Sequence, residues 1–247
     1  MKINDLEIRK QINLANKKFK DQRFNEAGRI YEELFKSGVR TYDFLFSYGI
    51  FNKEIRNYKL AKNIFLFLIK NYSSFIYPYI SLADILRKEQ KFNDAEKILL
   101  VAKKINKSNS EVNYNLALLY KSIGKFKEAY DYIDIAINLS KEILIYYILK
   151  AEILLNDGNY DLALSILLGI KESKEKRVEM TKSILLSKVY KFKKDYVKSE
   201  DILLKLKSKY NNEIIIYLDL SNIYFELKHL GKAIHILKEG IKLAPNF

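Results

Sequence analysis

Small and large apolar side chains return along this chain at a fixed interval. In a 34-residue frame starting at Ile8, twelve of the 13 Ala fall at frame positions 8, 20 or 27, and only Ala244 lies elsewhere. Position 8 reads Ala15, Gly49, Ala83, Ala117, Ala151, Ser187 and Ser221. Position 20 reads Ala27, Ala61, Ala95, Ala129, Ala163, Ser199 and Ala233. Position 17 is aromatic in six frames (Phe24, Tyr58, Phe92, Phe126, Tyr160 and Tyr196) and is Leu230 in the seventh. Position 24 is always bulky and apolar: Tyr31, Phe65, Leu99, Ile133, Leu167, Leu203 and Leu237. Two antiparallel helices approach closely only where small side chains oppose each other and large ones fill the space beside them. The pattern therefore predicts one helical hairpin per frame, with positions 8 and 20 supplying the close contact from each side. Gly124 and Gly158 at position 15 mark the turn inside the hairpin, Thr41 and Asn109 are candidate N-caps, and Pro78 falls in a first helical turn, where its missing N–H costs nothing.

The frames run 8–41, 42–75, 76–109, 110–143 and 144–177, then 180–213 and 214–247, within a single array over 1–247. Val178 and Glu179 form a two-residue slip between the fifth and sixth. The slip lies in the charged stretch 171–179, which reads as a solvated turn or as a hinge. Frames one, two and six are the least regular, and Lys18 and Asn52 occupy position 11, where the other frames favour packed residues.

Composition agrees with helical hairpins. Apolar residues make up 49% of the 247, and only 8 Gly and 2 Pro are present, so the chain has material for a core and little for long loops. There is no Cys, which excludes disulfides and thiolate metal sites. The first twenty residues are charged, with no apolar core of a secretory signal. The longest apolar run, 143–149, is far short of the roughly 20 residues a bilayer needs, and the expected location is the cytoplasm. The net charge of +14 raises nucleic acid as a partner, but the excess is spread thinly and 37 of the 44 basic residues are Lys. Arg is the preferred bidentate phosphate reader, so this excess reads as solvated surface and nucleic acid is not the expected partner.

The spacing resembles the tetratricopeptide repeat family, whose period is 34 and whose small residues sit at 8, 20 and often 27. Pro245, at position 32 of the last frame, fits the same family pattern. The resemblance implies an all-α fold, a right-handed α-α superhelix (solenoid) of stacked antiparallel helix pairs. It also implies that positions 2, 5, 6, 9, 12 and 13 of successive first helices line a concave groove.

On that basis position 5 supplies Ile12, Phe46, Ile80, Tyr114, Ile148, Ile184 and Leu218, apolar in every frame. Tyr77, Ile145 and Ile215 join at position 2, and Phe19, Leu155 and Phe225 at position 12. Asn16 and Asn115 are placed to hydrogen-bond a bound backbone, and Asp84 and Glu152 to fix a basic residue. The alternative for position 5 is burial between neighbouring first helices. Family members that grip the C-terminal carboxylate of heat-shock chaperones use a set of Lys, Asn and Arg at positions 2, 5, 6 and 9. Here only Asn16 matches in frames one to three, so binding of that kind is not expected.

No catalytic or cofactor constellation is visible. His229 and His235 are six residues apart, which places them on different helix faces, and no phosphate loop or nucleophile elbow is present. The expected function is a non-catalytic scaffold or adaptor that binds a peptide or helix of a partner protein in an apolar, Tyr-rich groove. The alternatives are a peptide-sensing regulatory module and an RNA-binding helical repeat. The last frame leaves Ile234, Ile241 and Leu243 with little sequence to cover them, which suggests a C-terminal association face, filled by more chain, a partner or a second copy.

Overall fold

A computed structural model describes residues 5–243, so Pro245 lies outside the described residues. All regular elements among them are α-helices. The chain divides into two compact units at the turn between residues 123 and 124. The first unit holds α1 (Asp5–Lys20), α2 (Phe24–Lys36), α3 (Tyr42–Glu54), α4 (Tyr58–Asn71), α5 (Tyr77–Lys88), α6 (Phe92–Ile105) and α7 (Ser110–Ser122). The second holds α8 (Phe126–Leu139), α9 (Leu144–Asn156), α10 (Tyr160–Gly169), α11 (Lys176–Phe192), α12 (Tyr196–Lys209), α13 (Ile214–Glu226) and α14 (Leu230–Leu243). Fourteen described helices are the number that seven hairpins require. Within each unit helices pack on their neighbours in chain order, and alternate helices such as α3 and α5, or α11 and α13, also touch.

The small residues explain how closely the hairpins close. Ala15, Ala27, Ala61, Ala95, Ala117, Ala129 and Ala163 are fully buried. At Gly49 an added Cβ would lie 2.7 Å from the Phe65 ring, so the absence of a side chain on α3 makes room for a bulky aromatic on α4. Each second helix begins at frame position 17, from Phe24 to Leu230.

The turn inside each hairpin is more uniform than its sequence. Position 15 has left-handed φ in all seven frames: Gln22, Arg56, Gln90, Lys194 and Lys228 at 60–62°, and Gly124 and Gly158 at 74° and 84°. Paired backbone bonds close the preceding helix, as in Lys91 N to Leu86 O at 2.8 Å and Gln90 N to Arg87 O at 3.0 Å. This pairing is the Schellman arrangement, which satisfies carbonyls left over at a helix end. Sequence alone flagged only the two glycines, because five frames place a side chain in this strained position.

Asn109 caps α7, accepting from Val112 N at 2.9 Å, whereas Thr41 makes no side-chain cap bond at α3. Asn57 and Asp195 cap α4 and α12 instead. Pro78 lies in the first turn of α5. The irregular position 11 is also accounted for. Asn52 is buried, donates to Tyr48 O at 2.8 Å and accepts from Asn57 Nδ2 at 3.1 Å, while Lys18 pairs with Glu26 at 2.9 Å.

The slip is absorbed at one joint. α10 has 10 residues where the other second helices have 13 or 14, and α11 has 17. The connection between them is tied down by Lys182, whose Nζ donates to Ile170 O at 2.6 Å, and Val178 is buried.

Candidate functional site

In the first unit, aromatic residues converge where α3 and α5 begin. Tyr42 and Phe46 lie one turn apart on α3, with rings nearly parallel and 5.9 Å between centroids. The segment leading into α5 brings Tyr72 to 5.4 Å and Phe75 to 4.5 Å from Tyr42. Tyr77, at the start of α5, stands 6.3 Å from Phe46, and Phe65 of α4 lies 6.1 Å from Phe46 on the inner side. Phe75 and Tyr77 remain about half exposed, at 47% and 46%. Phe46 and Tyr77 are thus brought together. Tyr42, Tyr72 and Phe75 complete the patch and were not singled out from sequence; the signal available was the run of aromatics flanking the second and third frames. Aromatic pairs prefer offset-stacked and edge-to-face arrangements, and the parallel Tyr42–Phe46 pair and the edge-on Tyr42–Tyr72 pair are one of each.

The aliphatic residues expected beside them behave differently. Ile12, Ile80 and Ile148 are buried. Position 5 lies where consecutive first helices meet, so a β-branched side chain there fills the core and offers no surface to a partner; Ile184 does the same, and Leu218 alone of the aliphatic set is exposed. Tyr114 and Phe46 are half-buried.

The polar candidates are largely engaged within the chain. Asn16 accepts from the Tyr31 hydroxyl at 2.6 Å, and burial pushes that hydroxyl up to about 12. Asn115 donates to Glu111 O at 2.8 Å. Asp84 sits among three cations: Arg87 at 2.8 Å, Lys88 at 3.1 Å and Lys53 of α3 at 3.3 Å. Burial pushes the Asp84 carboxyl upward, but Lys53, Lys88 and Arg87 outweigh it and hold the group below its ordinary value. Glu152 is half-buried on α9. Among the described residues no three His, Asp or Glu side chains gather as a metal site, and His235 pairs with Glu239 at 3.2 Å.

In the second unit, the α13–α14 pair carries an open apolar cleft of about 390 Å³, lined by Ile214, Ile215, Tyr217, Leu218, Leu237, Gly240 and Ile241. Gly240 lets α14 approach α13, since a Cβ there would stand 3.0 Å from Tyr217 Cβ. Ile234, Ile241 and Leu243 of the expected association face are all exposed. Leu237 joins them. Frame position 24 is buried in every earlier second helix, so its exposure here could not be read from residue type.

The sequence profile of the tetratricopeptide repeat matches residues 110–143 and 214–247, two segments that coincide with frames read from the small-residue spacing. No curated protein matches the chain. One chain of the APC/C hetero-tetramer Cut9–Hcn1 is similar in structure, with a TM-score of 0.76 and 17% identity over 94% of this chain and 46% of that one. This chain therefore spans about half the length of that relative. A tetratricopeptide repeat protein from Parabacteroides merdae aligns with a TM-score of 0.76 and 16% identity, covering 89% of this chain and 85% of that one. Pseudomonas aeruginosa pilF aligns with a TM-score of 0.64 and 15% identity, covering 89% and 97% respectively. At these identities the likeness shows the fold, an α-α solenoid of helix pairs.

Proposed function

We propose that this chain, whose residues 110–143 and 214–247 match the tetratricopeptide repeat, is a non-catalytic scaffold that binds a peptide or helix of a partner protein. The binding surface is the aromatic patch of the first unit. The observation that carries this reading is the Phe46–Tyr77 adjacency across α3 and α5, with the Tyr77 ring half exposed beside Phe75. Large rings held in place by their neighbours lose little conformational freedom on binding, so they suit anchoring of a bulky apolar side chain. The buried isoleucines at position 5 make the floor rigid without taking part in contact.

The polar surroundings add direction. The carboxyl of Asp84 is already shared by three cations, so an acidic group on a partner finds Lys53, Arg87 and Lys88 already grouped. Partner segments with an apolar anchor followed by an acidic residue fit this surface.

The reading is tested by selecting short displayed peptides against the intact chain. Selected sequences are expected to carry an aromatic or bulky aliphatic anchor, and Tyr77→Ala with Phe75→Ala should weaken them by about tenfold or more, at roughly 1.4 kcal/mol or above. Leu66→Ala and Phe67→Ala, exposed on α4, serve as the control. Peptides whose affinity drops with the α4 changes and not with the Tyr77 and Phe75 changes would move the binding surface to the outer helices.

A further inference from the structure

We infer that the end of α10 and the start of α9 form a binding site for a small apolar carboxylate, a monoanion with an aliphatic tail. The two helices frame a cleft of about 570 Å³ there. Leu144 and Tyr147 of α9, with Ile166 and Ile170 at the end of α10, form its apolar walls, and all four belong to the core of this unit or pack on it. Ligand sites are clefts of roughly 300–1,000 Å³, mostly apolar, with a few polar groups that fix orientation.

The cleft opens where α10 is one turn short. The other second helices end at frame position 29 or 30, from Lys36 in α2 to Leu243 in α14, whereas α10 ends at Gly169, position 26. Ile170 is already extended, and its carbonyl accepts from Lys182 Nζ at 2.6 Å, which fixes the chain where it leaves the helix. Gly169 itself adds nothing to fill the space, since a Cβ there would meet no atom within 4 Å.

Tyr147 shows what the missing turn changes. It is one of three tyrosines at frame position 4. Tyr79 and Tyr217 are each 5% exposed, and their hydroxyls donate to Ser73 O at 3.1 Å and Asn211 O at 2.7 Å, in both cases position 32 of the preceding frame. Tyr147 is only half-buried, and its hydroxyl has no hydrogen-bond partner among the described residues. It is a free donor on an apolar wall.

The rim sets the sign of the ligand. Lys141 and Lys171 line the cleft, and Glu142 is its one acid. All three are exposed, and none has an ion-pair partner among the described residues. Lys207, the counterpart of Lys171 at position 28 of the sixth frame, pairs instead with Glu239 of the next hairpin. Two ammonium groups and a hydroxyl donor against one carboxylate favour an anionic head, and walls of Leu and Ile favour an aliphatic tail. The site lies within the second unit and shares no residue with the aromatic patch.

Sodium decanoate, titrated to about 1 mM into the intact chain with labelled methyl groups, tests this by NMR. The expected result is saturable movement of the Leu144, Ile166 and Ile170 methyl signals. Decyltrimethylammonium, with the same tail and the opposite charge, should bind at least about tenfold more weakly. Tyr147→Phe keeps the ring and removes only the hydroxyl, and should weaken decanoate by about fivefold. Gly169→Leu puts a side chain into open space at the end of α10 and should weaken it by about tenfold or more. Circular dichroism verifies the fold of both variants. Still methyl signals at about 1 mM decanoate, equal binding of the two charges, or binding indifferent to both variants would each overturn the inference. So would movement confined to Ile215 and Ile241 in the α13–α14 cleft, or movement caused by a peptide ending in a leucine carboxylate and not by decanoate, which would assign the cleft to a protein partner.

Discussion

The Ser187 and Ser199 hydroxyls meet at 2.9 Å across the α11–α12 hairpin, and Ser199 Oγ also donates to Ser187 O at 2.9 Å. These are frame positions 8 and 20, the closest point of the two helices, where five other frames place Ala at both or Gly opposite Ala. Since Ser199 spends its proton on the carbonyl, Ser187 donates to the Ser199 oxygen. Ser199→Ala therefore leaves a buried hydroxyl without its acceptor and is expected to lower stability by about 1–3 kcal/mol, measured by urea unfolding. Ser187→Ala should cost less, because Ser199 keeps the carbonyl. The double Ala variant should return close to the parent, matching the other hairpins.

The same position makes Gly49 and Phe65 a coupled pair. Adding a methyl at Gly49 requires the Phe65 ring to move, and that ring is fully buried. Gly49→Ala is expected to cost about 1–3 kcal/mol through overpacking. Phe65→Leu, the residue that α6, α10 and α12 carry at this position, should recover part of that loss when combined with it. Additive single effects in a double-mutant cycle would show that the two do not share this space.

At position 15 the backbone is left-handed whether or not the residue is Gly. Gln90→Gly and Lys194→Gly are each expected to raise stability by about 0.5–1 kcal/mol, since Gly adopts this φ without the Cβ penalty. Gly124→Ala and Gly158→Ala should lower it by about 1 kcal/mol. Thermal midpoints of the four variants check both signs.

Asp219 of α13 has Oδ2 buried without a hydrogen bond, and the Lys188 Nζ stands 4.0 Å from it. Burial pushes its carboxyl upward, and Lys188 and Lys191 do not fully offset this. Because the folded value lies above the unfolded one, the group favours folding most at low pH, and that contribution is lost as pH rises through the folded value. Asp219→Asn is therefore expected to stabilise the chain near neutral pH by about 1 kcal/mol, with the gain shrinking toward pH 4. A gain that grows on acidification would contradict this account.

The fold was legible because it rests on volume, and volume is written in the sequence. Ala27, Ala61 and Ala95 recur where helices touch, and Phe24, Tyr58 and Phe92 open each second helix. The turns were less legible, because left-handed φ at Gln22, Arg56 or Lys228 is imposed by the helix end and not by residue type. The proposed binding surface was legible only in part. Phe46 and Tyr77 were singled out from their frame positions, but Ile12, Ile80 and Ile148 share the position of Phe46 and are buried, since frame position cannot tell a residue at the lip of a helix contact from one inside it. Tyr42, Tyr72 and Phe75 needed three dimensions, because a connecting segment delivers two of them. The openness of Leu237 was hidden for the opposite reason: its residue type matches Leu99, Leu167 and Leu203, which are buried under the helix that follows each of them, and no described helix follows α14.

The shortened α10 and lengthened α11 have a further consequence. A helix side chain returns to nearly the same direction every 3.6 residues, so shifting a boundary by about one turn changes where a helix starts without re-aiming it. Length variation collected at this joint is therefore converted into a trade of whole turns between neighbouring rods, while Leu167 before it and Leu185 after it stay buried. Such a joint works like a telescoping sleeve, and its exposed residues Lys174 and Glu175, clear of the buried Ile170 and Val178, are a place to insert a tag or a reporter.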